Sequence, residues 1–128
     1  LTFIFTFVIF MSRGESMKHN MRLNHDPFVL IEEGSKTIEL RLNDEKRSKI
    51  KVGDTIVFED RTTGKELNVK VIALHPYDNF ATLYQYFSPV AMGYREGEKV
   101  DPKDMEEYYS KEEQDKYGVL GIEVKVIK

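Results

Sequence analysis

From residue 18 onward, apolar and polar positions recur in two rhythms, one of period two and one of helical period. His19 to Leu23 reads as a short first strand. Asp26-Pro27 then reads as an N-cap followed by proline at the first helical position. Phe28, Leu30 and Ile31 give that helix an apolar side, and Gly34 is placed to end it in a left-handed conformation. Lys36 to Leu42 alternates as a half-buried strand does, with Ile38, Leu40 and Leu42 on one face and Thr37, Glu39 and Arg41 on the other. Asn43 to Lys51 is charged and reads as a loop or a single turn. Val52-Gly53-Asp54 opens a third strand, in which Ile56 and Phe58 alternate with Thr55 and Val57. Thr62-Thr63-Gly64-Lys65 is a hairpin turn, and Glu66 to Leu74 returns as a strand with Leu67, Val69 and Val71 on one face.

The remaining third is more helical. Asp78 or Asn79 caps a helix whose Phe80, Leu83, Tyr84 and Phe87 form one apolar stripe. Asp101-Pro102 repeats the cap-and-proline signal, Ser110 with Glu113 matches a capping box, and Gly118 stops that helix. Val119 to Ile127 is a final strand carrying Ile122, Val124 and Val126 on one face. Five strands with helices inserted between them predict an α+β fold, a small, mostly antiparallel barrel of five to six strands. A two-layer α/β sandwich is the alternative. The last strand is expected to pair with an early one, since barrels close by joining distant segments.

Composition narrows the class. A chain of 128 residues suits one domain, and 41% hydrophobic with 32% charged residues allows both a core and solubility. Without cysteine there is no disulfide, thiolate metal site or cysteine nucleophile, which fits a reducing, cytoplasmic setting. A net charge of -3 lacks the basic excess of a generic nucleic-acid binder, so any such contact is a local patch or a pocket for one nucleotide. His19, His25 and His75 are dispersed, without metal-ligand spacing, so neither a metal nor another cofactor is expected. Leu1 to Phe10 is almost wholly apolar, yet too short to cross a bilayer, which needs about 20 residues, and it lacks the positive start of a signal peptide. Arg13-Gly14-Glu15 can be encoded by a purine-rich ribosome-binding sequence just before Met17. The expectation is that residues 1–16 are a non-native or disordered extension and that the domain spans 17–128. A short membrane-surface anchor is the rival reading.

The segment Gly34-Ser35-Lys36-Thr37-Ile38-Glu39-Leu40-Arg41 carries the most chemistry. It sets Glu39 and Arg41 on one strand face, with Lys36 at the strand's mouth. Arginine offers a planar fork for carboxylate, phosphate or a base edge, and lysine a mobile point charge. Read alone, the pattern also fits a solvated face with a weak ion pair. Secondary candidates are Asn24, close to a helix N-terminus, the basic run Lys46, Arg47, Lys49 and Lys51, and Tyr108, Tyr109 and Tyr117 in an acidic helical insertion that could act as a lid. Asn24 also reads as a turn residue, the basic run as solvated, and the tyrosines as packing.

The pattern Gly34-x-Lys36-Thr37-Ile38-Glu39-x-Arg41, with Lys51-Val52-Gly53-Asp54 and the closing Tyr117-Gly118-Val119-x-Gly121-Ile122, resembles the ASCH domain family of the PUA-like superfamily. The resemblance runs over nearly the whole chain from Met17. It implies a cleft between barrel and helices with Lys36, Glu39 and Arg41 pointing inward, and RNA, a nucleotide or a modified nucleoside as partner. Asn24, Lys51 and Tyr109 complete the expected ligand-binding set. Some ASCH-like proteins are acetylcytidine amidohydrolases with a threonine nucleophile where this chain has Glu39, which cannot simply replace it in a hydroxyl-based mechanism. Another branch is ribonuclease-like, for which Lys36 and Glu39 would be the catalytic candidates. The readings in play are thus an RNA- or nucleotide-binding module, a hydrolase acting on RNA or a modified nucleoside, and a protein-interaction module.

Overall fold

The computed structural model describes residues 16–128; the readings made for residues 1–15 lie outside that range. Five strands form one sheet in the order β1-β3-β4-β5-β2, where β1 is Lys18–Leu23, β2 Ile38–Leu42, β3 Thr55–Asp60, β4 Glu66–Tyr77 and β5 Val119–Val126. Every pairing is antiparallel except β1 with β3. The last strand does join an early one, since β5 pairs with β2. The result is the expected α+β fold, in the form of a half-barrel. Its β1 and β2 edges face each other without a backbone ladder between them.

The curl has a local cause in β4. Val71 stands opposite Val124 and Ala73 opposite Glu123, so Ile72 is an extra residue. Such a bulge bends a strand and increases its twist. It also lets β4 run on to Tyr77, three residues beyond the end its apolar pattern predicts. The bent sheet serves two cores. Met21, Phe28, Ile31, Phe58, Val69 and Ile122 lie in one, beneath α1 (His25–Glu33). Ile38, Leu40, Phe80, Leu83, Met92 and Val119 lie in the other. That second core sits under α2 (Phe80–Leu83) and α3 (Pro89–Met92).

Three features of the helices differ from the pattern. The first helix begins at His25, with Asn24 rather than Asp26 at the N-cap, because the Asn24 carbonyl already accepts from the Phe28 N–H at 3.1 Å. Pro27 thus falls inside the first turn, where its missing N–H costs little. The helix expected over 80–87 ends at Leu83. Ser88 precedes a proline, which disfavours helical geometry, and its side chain instead caps α3 through the Ala91 N–H. After Asp101-Pro102 the helix is 3-10 in type, over Pro102–Glu107. The capping box at Ser110 and Glu113 is present and starts α4 (Lys111–Tyr117).

Two buried aspartates pin the ends of β3. Asp54 accepts from the Met17 N–H at 3.0 Å and the Lys51 N–H at 2.9 Å, and meets His19 Nε2 at 2.8 Å. Asp60 accepts from the Thr62 N–H and meets His25 Nδ1 at 2.7 Å. Burial raises each carboxyl, but these partners outweigh it and hold both below the usual aspartate range. A depressed folded-state value contributes stability above the unfolded value, near 3.9, and loses it as pH falls through the folded value. Asp54→Asn is therefore expected to be less stable than the parent at pH 6. The gap should close below about pH 4, as the parent's carboxylate protonates. Urea unfolding of both proteins between pH 6 and 2.5 checks this; a gap that stays constant with pH contradicts it.

Candidate functional site

The approach to β2 is built from backbone bonds. Gly34 ends α1 with φ at 91°, where only glycine is unstrained. The last two N–H groups before the strand turn away from the sheet: Lys36 N bonds the Leu30 carbonyl at 3.1 Å and Thr37 N the Ala91 carbonyl at 3.0 Å. The strand therefore begins at Ile38, and all five of its residues are buried. Ile38, Leu40 and Leu42 enter the second core. Glu39 and Arg41 stand opposite Ile122 and Leu120, two residues of the first core, and so share the inner face of the half-barrel.

Lys36, Glu39 and Arg41 meet there as one cluster, exposed to only 6%, 4% and 9%. Glu39 is the hub. Its Oε1 lies 3.2 Å from Lys36 Nζ and its Oε2 accepts from Arg41 Nε at 2.8 Å. Lys36 Nζ also donates to the Met92 carbonyl at 3.0 Å, beside the C-terminus of α3. Arg41 Nη2 donates to the Arg22 carbonyl at 2.8 Å, on the outer edge of β1. The half-barrel is thereby closed through a side chain where no ladder exists. Arg41 Nη1 makes no hydrogen bond of 3.5 Å or less among the described residues and is not sealed from solvent, while the guanidinium also feels the nearby Tyr109 hydroxyl.

The electrostatics follow from this wiring. Burial works against the charge on Glu39, but Arg41 and Lys36 outweigh it and hold the carboxyl below its usual range. Burial likewise opposes the charge on Arg41, and Glu39 more than offsets it. Two basic side chains thus face one carboxylate, and the cluster has an excess of cationic groups. Two features fix its walls. Gly93, with φ at 108°, lies so close that a Cβ there would stand 3.0 Å from Lys36 Cδ. Tyr109 stacks on Phe80 at 6.1 Å between ring centres, and Gln114 of α4 holds its carbonyl at 3.2 Å. Burial pushes the Tyr109 hydroxyl up, and neighbouring Arg41 only partly counters that.

The structure thus brings Lys36, Glu39, Arg41 and Tyr109 together. Asn24 is exposed at the N-terminus of α1, near the Asp60 end of β3. Lys51 is exposed at the opposite end of β3, where its N–H serves Asp54. Asn24 and Lys51 therefore stand a whole strand apart. Two partners, the carbonyls of Met92 and Arg22, escape side-chain reasoning because they are backbone groups. The Ser88-Pro89 start and Gly93 stop of α3 were the available signal for the first. Among the described residues no three His, Asp or Glu side chains form a metal-holding group, and no helix is long and apolar enough to cross a membrane.

Comparison with known proteins fits this fold. The sequence profile of the ASCH domain matches residues 21–128. The crystal structure of the hypothetical protein PH0355 is similar, at 38% identity and a TM-score of 0.76, over 87% of this chain and 100% of that one. The solution structure of protein PF0455 from Pyrococcus furiosus is similar at 31% identity and a TM-score of 0.70, over 88% of this chain and 99% of the other. No curated protein matches significantly.

Proposed function

Since this chain belongs to the ASCH domain family, we propose that it binds RNA or a nucleotide, with a phosphate or base edge held at Arg41 and Lys36. The observation that carries this reading is a buried cluster with two cations to one anion and an unspent guanidinium nitrogen, Arg41 Nη1. A buried charge excess is costly unless a counter-charge meets it, and an oxyanion is the complement of a guanidinium edge. Tyr109 beside Arg41 adds an aromatic wall for a base.

Binding is favoured over hydrolysis by the state of Glu39. Both of its oxygens are spent on Arg41 and Lys36, and its depressed pKa makes it a weak base near neutral pH. Glu39 thus acts as the post that positions two cations. Arg41→Lys is expected to weaken ligand binding at least tenfold, about 1.4 kcal/mol, because an ammonium cannot span Glu39, Arg22 and a ligand in one plane. Calorimetric titration of both proteins with nucleosides, nucleoside 5′-monophosphates and short oligoribonucleotides measures this. No binding of any of these to the parent protein would sink the reading. Turnover that disappears in Glu39→Gln would support a hydrolase instead.

A further inference from the structure

The turn after β2 holds a second arginine whose bonding is incomplete. Arg47 bonds Asp44 twice, through its N–H to Oδ1 at 3.0 Å and through Nη1 to Oδ2 at 2.6 Å. Its Nε is sealed from solvent and has no partner among the described residues. Nη2 likewise has no protein partner but reaches the surface. Nε and Nη2 form the side-on fork of the guanidinium, of which Nη2 is open to a phosphate oxygen as the turn stands and Nε would be reached only if the turn opens. Buried donors without partners are few in folded proteins, so this one points to a ligand group.

The fork lies beside the cluster. Lys46, the residue before Arg47, donates from Nζ to the Asn20 carbonyl at 3.2 Å. Arg41 donates to the Arg22 carbonyl at 2.8 Å. Both acceptors lie on the free edge of β1, two residues apart, which is about 7 Å along a strand and comparable with one nucleotide step. The Tyr109 hydroxyl senses both Arg41 and Arg47. Lys46, Arg47, Lys49 and Lys51 outnumber Asp44 and Glu45 on the segment 43–51 by two charges, enough for one or two phosphates and too little for a long polyanion.

We propose that Arg47 and Lys46 form a second phosphate subsite beside the Lys36–Glu39–Arg41 cluster, so that the ligand is an RNA segment of at least two nucleotides. This rests on the binding reading above and extends it from the nucleotide to the chain. The test is calorimetry on the full chain with inorganic phosphate, a nucleoside, its 5′-monophosphate, and 5′-phosphorylated di- to hexaribonucleotides, at two salt concentrations. The parent protein is expected to bind the dinucleotide at least tenfold more tightly than the monophosphate. Arg47→Ala should remove most of that step and lower the salt slope by about 0.7, as for one lost phosphate contact on a single strand. Arg47→Lys should keep the salt slope and lose part of the step. Lys46→Ala, which leaves the Arg47–Asp44 turn intact, decides the matter if Arg47→Ala melts early.

A parent protein that binds the dinucleotide no tighter than the monophosphate overturns the subsite, and so does an undiminished step in Arg47→Ala and Lys46→Ala. Inorganic phosphate bound as tightly as the dinucleotide would also overturn it, by showing a free-anion site. A parent protein that binds none of these ligands defeats the binding reading and this inference together.

Discussion

Glu39→Ala is expected to destabilise the protein by about 3–5 kcal/mol, the cost of removing one partner from a buried ionic network. The reason lies in what remains. Lys36 and Arg41 would stay within one buried site with like charges and no carboxylate between them. Of the hydrogen bonds among the described residues, Lys36 would retain the one to the Met92 carbonyl and Arg41 the one to the Arg22 carbonyl. The tie between β1 and β2 runs through that last bond, so the loss reaches the closure of the half-barrel as well as the pocket. Thermal or urea unfolding of the parent and the variant measures it. A loss below 1 kcal/mol would mean that the cluster behaves as a solvated surface pair.

The second large effect is expected at Gly93, a residue with no chemistry of its own. Its φ of 108° is strained for any side chain, and a Cβ would stand 3.0 Å from Lys36 Cδ and 3.2 Å from Nζ. Lys36 is long and able to shift, but a shift takes Nζ off the Met92 carbonyl and away from Glu39. Gly93→Ala is therefore expected to cost about 2 kcal/mol, from left-handed strain and the displaced lysine together. It should also weaken binding of the same nucleotides that Arg41→Lys weakens. Gly97, also at positive φ but with open space around its Cβ position, serves as the control: Gly97→Ala carries the strain without the collision. Equal stability loss and equal affinity loss in the two variants would contradict the role given to Gly93.

Much of this frame is legible in the residues. Gly34 as a helix stop, the two faces of Lys36 to Leu42, the capping box at Ser110 and the pairing of the last strand with an early one follow from φ preferences and period-two patterning. What the pattern leaves open is which face is covered. Alternation separates Glu39 and Arg41 from Ile38, Leu40 and Leu42. Whether water lies beyond them depends on β1 and on the helices placed across the sheet, elements contributed by distant segments. The broken helix after Phe80 has the same character. Its apolar stripe continues to Phe87, but the Ser88-Pro89 pair diverts the backbone, and the diverted segment supplies the carbonyl that holds Lys36. The parallel pairing of β1 with β3 and the Ile72 bulge are properties of register, which a period-two pattern alone does not set.

Arg41, held by Glu39 and Arg22 inside the half-barrel, is the group proposed to meet the ligand. Nitrogen-15 NMR of the arginine side chains tests it most directly, with Arg41→Lys used to assign the Arg41 Nε signal. That signal is expected to be resolved and slowly exchanging in the free protein, because its proton is committed to Glu39. It should move, in proportion to occupancy, as a short oligoribonucleotide is added. An Arg41 signal that stays in place while the oligoribonucleotide binds and shifts other residues would contradict the account.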